Sequence, residues 1–218
     1  MNTPSQGFRD RREAGRLLAA ALTHLRDANP IILALPRGGV PVAFEVAEAL
    51  DAELDILLVR KIGAPGHPEF GIGAIVDGAH PQLVLNEEAV RTTGATPAYI
   101  EATAQRELAE LERRRHAYRS DAPPPELNGR TAIVVDDGIA TGGTVAAALK
   151  GVGRNQPKHL VLAVPVAPQD SLDALKSSCD EVVCLLTPSP FYAVGAHYQD
   201  FSQTDDEEVI RLLGLAVS

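Results

Sequence analysis

The sequence predicts an α/β fold, a mostly parallel twisted sheet flanked by helices. Three observations carry that expectation. Several short runs are continuously aliphatic, as strands buried on both faces must be. Helical segments alternate with those runs. The 218 residues are 45% apolar but only 4% aromatic, with no Trp, which suits an interior of Val, Ile, Leu and Ala. The length fits a single domain spanning residues 1–218.

Residues 9–28 read as an amphipathic helix, with Leu17, Leu18, Ala21, Leu22 and Leu25 on one side. Asn29-Pro30 ends it. IILAL, Ile31 to Leu35, is a buried strand, and Pro36-Arg37-Gly38-Gly39 a turn. Val40 to Leu50 is a helix with Pro41 in its first turn. Leu54 to Val59 is a second buried strand, ending in Arg60-Lys61 and a loop, Gly63 to Pro68. Gly71 to Val76 and Leu83 to Leu85 are short strands. Residues 97–118 form a long charged helix, capped by Thr96 with Pro97 first. Ala122 to Pro125 is a linker. Ile133 to Val135 is a third buried strand, and Val145 to Lys150 starts the next helix. Leu160 to Val164 and Val182 to Leu186 are strands around a helix at Ser171 to Ser177, and residues 204–213 make a closing helix.

The formal charge of −9 argues against general binding of nucleic acid or an anionic membrane. No run is long enough for a membrane span, and no signal-peptide layout is present, so a cytoplasmic protein is expected. Cys179 and Cys184 do not form a CxxC pair and read as buried residues without a disulfide or zinc.

The stretch VVDDGIATGGT, Val134 to Thr144, carries the chemistry. A Gly- and Thr-rich loop entering a helix cradles an anion with its backbone N–H groups and the helix dipole. It lacks both the Gly-Lys-Ser/Thr of a nucleotide-hydrolase loop and the G-x-G-x-x-G spacing. Asp136 and Asp137 beside it would repel a polyphosphate unless metal intervened, but carboxylates accept well from a sugar diol. One phosphate a few bonds from paired hydroxyls describes a ribose 5-phosphate. PRGG and Arg60-Lys61 follow other strands. Ligands of parallel sheets sit at the strands' carboxyl ends, so all three segments are expected on one edge. Together they suit 5-phosphoribosyl 1-pyrophosphate.

VVDDGIATGGT resembles the 13-residue signature of the type I phosphoribosyltransferases, with Ala132 to Val135 as its apolar lead. LPRGG is similar to that family's pyrophosphate loop and VRKIG to the basic segment after its next strand. The likeness spans roughly residues 30–190. It implies a type I phosphoribosyltransferase core with a small hood from the N-terminal segment and about residues 187–218. By that resemblance Asp136 and Asp137 would hold the ribose hydroxyls, directly or through Mg²⁺. Gly138 and Ala140, Thr141, Gly142, Gly143 and Thr144 would hold the phosphoribosyl end. Arg37, Gly38, Gly39, Arg60 and Lys61 would serve pyrophosphate. The reaction would displace pyrophosphate from the anomeric carbon by a nitrogen nucleophile.

Ala140 stands where the 6-oxopurine branch has a third acid, which counts against hypoxanthine or guanine as acceptor. ATGGT is closer to the adenine branch, whose mobile loop ends in Glu-Tyr-Gly; Glu69-Phe70-Gly71 is similar, making Glu69 the candidate general acid or base. His67 is a second candidate. PFYAVGAHYQDF, Pro190 to Phe201, is the most aromatic patch. It resembles a hood segment in which Phe191 would stack on the acceptor and Asp200 would assist metal; a hydrophobic plug or dimer contact reads equally well. A homodimer and a small nitrogen acceptor are the expected partners. Arg113 to Arg115 read as a solvated helix face with Glu–Arg pairs. The alternative from another class is a non-catalytic protein of this fold that senses the ligand or binds RNA.

Overall fold

The computed structural model describes residues 7–119 and 123–216. In chain order the elements are α1 (Arg11–Ala21), β1 (Pro30–Ala34), α2 (Gly39–Leu50), β2 (Glu53–Ile56), β3 (Val59–Ala64), β4 (His67–Val76), β5 (Gln82–Leu85), α3 (Glu87–Thr93) and α4 (Pro97–Arg119). Then follow β6 (Thr131–Val135), α5 (Gly143–Arg154), β7 (His159–Val166), α6 (Gln169–Leu175), β8 (Glu181–Leu186) and α7 (Asp206–Ala216). Among the described residues no helix is long and apolar enough to cross a membrane.

Five strands form a parallel sheet in the order β2-β1-β6-β7-β8. Alternation along each strand explains the unbroken aliphatic runs. Ile32, Ala34, Ile133, Val135, Val161 and Ala163 face one cluster, packed under α1, α2 and α7. Their neighbours Ile31, Leu33, Ala132, Val134, Leu160 and Leu162 face the other, under α5 and α6. Each fully buried aliphatic side chain contributes about 1.5–3 kcal/mol of transfer free energy. The chain leaves β1 toward β2 on one side, while β6, β7 and β8 run to the other. The strand order therefore reverses between β1 and β6, and a crevice opens outside their carboxyl ends.

Two elements differ from the sequence expectation. Leu54 to Val59 is not one strand: β2 ends at Ile56, and Val59 begins a separate antiparallel sheet in the order β3-β4-β5. Leu57 and Leu58 lie between, buried in opposite clusters, so the aliphatic run continues while the strand does not. Arg60 and Lys61 consequently lie within β3 and not in a loop at the end of a parallel strand. The Gly63–Pro68 segment closes the β3–β4 hairpin, with Ala64 opposite His67 and the register shifting around Gly63. Residues 67–71 are all exposed, so no apolar alternation marked them as strand. The second difference is α3. Asn86 caps it, its side chain accepting from Ala89 N at 3.1 Å, and Gly94 ends it in the left-handed region at φ 64°. The short polar sequence between those caps has too few apolar residues to show a period.

The first helix is shorter than the expected 9–28, since α1 ends at Ala21 and a single 3-10 turn, Thr23–Leu25, follows; the other boundaries agree to within a few residues. Thr96 caps α4, accepting from Tyr99 N at 3.2 Å. Ala122 of the expected linker lies outside the described residues; Pro123 to Leu127 has no regular structure. Cys179 and Cys184 are free thiols, and both are half-buried instead of buried.

At the carboxyl end of β2 the sheet meets a buried ion cluster. Arg119, at the end of α4, donates to both oxygens of Asp55 and to Ile56 O. Its Nη1 stands 3.7 Å from Asp77, which also pairs with Arg115 at 3.2 Å. Burial pushes the Asp55 carboxyl up from 3.8 to about 6, against the pull of Arg119. Above 3.8 the unfolded chain has released this proton while the folded state still holds it. The stabilising contribution is thus complete below that pH and lost as pH rises through about 6. We expect Asp55→Asn to gain on the wild type by about 3 kcal/mol between roughly pH 4 and pH 7.5. Urea midpoints that keep a constant difference across that range would refute this assignment.

Candidate functional site

The loops after β1 and β6 meet at the crevice. Leu35 N donates to Val135 O at 2.9 Å, holding the first turn against the end of β6. The Pro36–Arg37 peptide is cis. Gly38 then passes directly over Asp137: a Cβ there would lie 2.0 Å from Asp137 Oδ2, so only glycine allows this approach. Gly39 opens α2 against the backbone of Val135 and Asp136.

The acid pair is enclosed by protein. Asp136 Oδ1 accepts from Asp137 N at 2.8 Å. Asp137 Oδ2 accepts from Arg11 Nε at 2.8 Å, with the Arg11 and Asp137 side chains only 11% and 14% exposed. The Tyr198 hydroxyl donates to Asp137 O at 2.6 Å. Burial first, and the neighbouring Asp137 charge second, push the Asp136 carboxyl well above the usual range. Burial also raises Asp137, but the Arg11 guanidinium pulls against it. Arg11 and Tyr198 were not legible as site residues. The ion pair joins positions 126 residues apart, and the sequence shows Arg11 only as the start of an amphipathic helix.

Beyond the acids the chain turns into the loop. Ile139 is buried, and its N–H donates to Val166 O at 2.9 Å. Ala140 O accepts from Ser171 Oγ at 2.7 Å. Gly142, at φ 75°, is the N-cap of α5, a conformation that L side chains rarely adopt. The first-turn N–H groups that follow, from Gly143, Thr144 and Val145, have no partner within their own helix. Thr141, Gly143 and Thr144 border a cavity of about 790 Å³, together with Lys61, Lys150 and the face of β3–β5.

Arg60 and Lys61 alternate on β3 and therefore point to opposite faces. Lys61 reaches this cavity, donating to the Glu69 carbonyl at 3.0 Å and pairing with its carboxylate at 3.2 Å. Arg60 turns the other way and pairs with Glu107 of α4 at 2.8 Å. Glu69 is 96% exposed on the hairpin, and His67 starts β4 in solvent. Arg37 stands 3.7 Å from Asp206 of α7.

The two chain ends come together over the crevice. Phe8 N donates to His197 O, Gln199 N to Phe8 O and Asp200 N to Arg9 O, each at 2.8 Å. Phe191 packs against the cluster of Phe8, Ala14, Val166 and Tyr198, with its ring stacked on His197 at 5.4 Å between centroids. One face of the ring that was expected to meet an acceptor is therefore covered. Asp200 accepts from both the N–H and the hydroxyl of Ser202. Among the described residues no group of three His, Cys, Asp or Glu could hold a metal. What the crevice offers is the acid pair, with Asp136 Oδ1 receiving the Asp137 N–H and Asp137 Oδ2 receiving Arg11. That donor set fits Mg²⁺ bound chiefly through the oxygens of a substrate and waters, with one or two carboxylates from the protein.

The family model of the phosphoribosyl transferase domain matches residues 10–200. The chain belongs to this family. Its relatives agree: proteins from two strains of Mycobacterium tuberculosis, CDC 1551 / Oshkosh and H37Rv, provisionally named phosphoribosyl transferases, are 46% identical over 209 residues. The match covers 96% of this chain and 47% of theirs, so the chain spans about half the length of these curated relatives. The crystal structure of TT1426 from Thermus thermophilus superposes with a TM-score of 0.84 at 47% identity, covering 95% of this chain and 97% of that one. The phosphoribosyl transferase domain thus has the parallel sheet and flanking helices expected of it.

The close passage of Gly38 over Asp137 can be tested by substitution. Gly38→Ala should destabilise the domain by about 1–3 kcal/mol, as overpacking does. It should also displace the Asp137 carboxylate in a crystal structure of the variant. An unchanged unfolding midpoint with Asp137 in place would show that the loop has slack.

Proposed function

We propose that this phosphoribosyl transferase domain moves the 5-phosphoribosyl group from phosphoribosyl pyrophosphate to a nitrogen acceptor, releasing pyrophosphate in a Mg²⁺-dependent reaction. One observation carries the reading: the buried acid pair lies at the point where the strand order reverses, between the PRGG turn and the open N-terminus of α5. A sugar phosphate needs an acceptor for its hydroxyls and a donor set for its anion. These elements supply both a few residues apart.

In this reading the N–H groups and hydroxyls of Thr141 to Thr144 hold the 5-phosphate, assisted by the positive end of α5. The acid pair Asp136 and Asp137 lies on the side of the ribose hydroxyls. The backbone of Gly38 and Gly39, with Arg37, lies where pyrophosphate departs. Lys61 adds a mobile cation at the cavity mouth. Mg²⁺, held by Asp136 and the substrate's oxygens, would neutralise the leaving pyrophosphate. The protein's own tasks are alignment and exclusion of water around an oxocarbenium-like transition state. Glu69 reaches the reacting atoms only if the hairpin folds inward, carrying with it the contact to Lys61. Asp200, whose Oδ1 accepts from Ser202, would assist the metal through its other oxygen. Arg60, turned toward Glu107, acts on the hairpin's placement against α4. The acceptor is a nucleobase, with adenine preferred over 6-oxopurines because Ala140 supplies no third acid.

The alternative of an RNA-binding or purely sensing protein has less support. Arg113 and Arg114 share Glu110, and Arg115 reaches inward to Asp77, so the arginine run of α4 is largely engaged within the fold. Incubation with phosphoribosyl pyrophosphate, Mg²⁺ and a panel of bases should release pyrophosphate with at least one acceptor. Tight donor binding with no release from any base would favour the sensor. The double variant Asp136→Asn/Asp137→Asn should lower kcat/KM at least about tenfold, or 1.4 kcal/mol. Unchanged kinetics would dismiss the diol assignment.

A further inference from the structure

The two acids of the pair are not equivalent. Asp137 is gripped at both ends, its carboxylate by Arg11 Nε at 2.8 Å and its carbonyl by the Tyr198 hydroxyl at 2.6 Å. Asp136 receives the Asp137 N–H on one oxygen. Arg11 is restrained in its turn. Its Nη1 donates to Ser202 O at 2.7 Å, and its guanidinium carbon lies 3.9 Å from the centroid of the Phe201 ring. Asp10 caps α1 by accepting from Glu13 N at 2.7 Å, which seats the helix start that carries Arg11. A carboxylate, a carbonyl and an aromatic face thus hold one guanidinium in three directions. The planar fork of Arg can serve all three at once, whereas the point charge of Lys cannot.

From this geometry we infer that Arg11 is a positioning residue that divides the acid pair. It occupies and neutralises Asp137, so that Asp136 alone is the open carboxylate meeting the ligand. The inference rests on the donor reading above and names a regulator of that same site. Adjacent carboxylates left free would repel each other and any phosphate nearby. With Asp137 committed to Arg11, the crevice presents one acceptor in one orientation. Arg11 also links the carboxylate to Phe201 and Ser202, so the chain ends set the position of a group on β6's loop.

The experiment compares Arg11→Gln, Arg11→Lys, Asp136→Asn, Asp137→Asn and Arg11→Gln/Asp137→Asn. Two readouts are used: affinity for phosphoribosyl pyrophosphate with Mg²⁺ by calorimetry, and the ¹⁵N resonance of the Arg11 Nε–H without ligand. Arg11→Gln should weaken binding about tenfold and add less than about twofold once Asp137 is Asn, because it acts through that residue. Arg11→Lys should recover only part of the loss. Asp136→Asn should weaken binding more than Asp137→Asn does. The Arg11 Nε–H resonance should move on Asp137→Asn and stay in place on Asp136→Asn. Additive losses in the double variant, a larger effect of Asp137→Asn, or a resonance indifferent to Asp137 would each overturn the inference. If the wild type binds no phosphoribosyl pyrophosphate, the donor reading fails, and the resonance still decides whether Arg11 holds Asp137.

Discussion

Two carboxylates buried side by side are costly, and much of the crevice is arranged around that cost. Removing each from water disfavours its charge, and each charge disfavours the other. One guanidinium, from Arg11, pairs with the Asp137 carboxylate, the Tyr198 hydroxyl anchors the Asp137 carbonyl, and Gly38 passes close over the same carboxylate. Arg11 and Tyr198 come from opposite ends of the chain. Compensating the acids therefore also fastens the N-terminal segment to residues 197–202, through the hydrogen bonds of Phe8 and Arg9. The same contacts close one wall of the proposed ligand crevice. Local electrostatics and the placement of the chain ends are one problem with one solution.

That solution depends on the order of the sheet. Because β1 and β6 are neighbours, the PRGG turn and the acid pair touch, although they lie far apart in sequence. Burial on both faces makes the strands rigid platforms, with alternate residues committed to α1 and α2 on one side and α5 and α6 on the other. Loops leaving such platforms start from fixed points. The loop into α5 is further tied by Ile139 to Val166 and by Ser171 to Ala140. The proposed anion-binding role needs this support, since its donors would be backbone groups that cannot adjust independently.

The hairpin β3–β4 obeys different rules. Residues 67–71 of its β4 arm are all exposed, Phe70 among them, while Ile62 and Ala64 on β3 and Ile72 on β4 are buried in the core; Lys61 and Glu69 pair on its exposed side. Segments of low burial are those that open and close at low cost. The strand period also separates two adjacent cations, sending Lys61 to the cavity and Arg60 to α4. Reading Arg60-Lys61 as one basic loop missed this. The run LDILLV is aliphatic almost throughout, and hydrophobicity alone cannot mark where one strand ends and another sheet begins.

Sequence alone was sufficient where the physics is local. The buried runs Ile31–Leu35 and Ile133–Val135 read as doubly covered strands, and Asp136 to Thr144 as two acids and a glycine-rich turn into a helix. Thr96 before α4 was legible as a polar residue at a helix start because caps act within three residues. α3 escaped notice because its two caps enclose too little apolar sequence. The tertiary structure decided everything that joins distant positions. It placed Arg11 on Asp137 and Tyr198 on the same residue's carbonyl, and turned Arg60 onto Glu107. These choices follow from strand order and from the balance of charge in a buried site. Both are properties of the folded whole, and no window of neighbouring residues contains them.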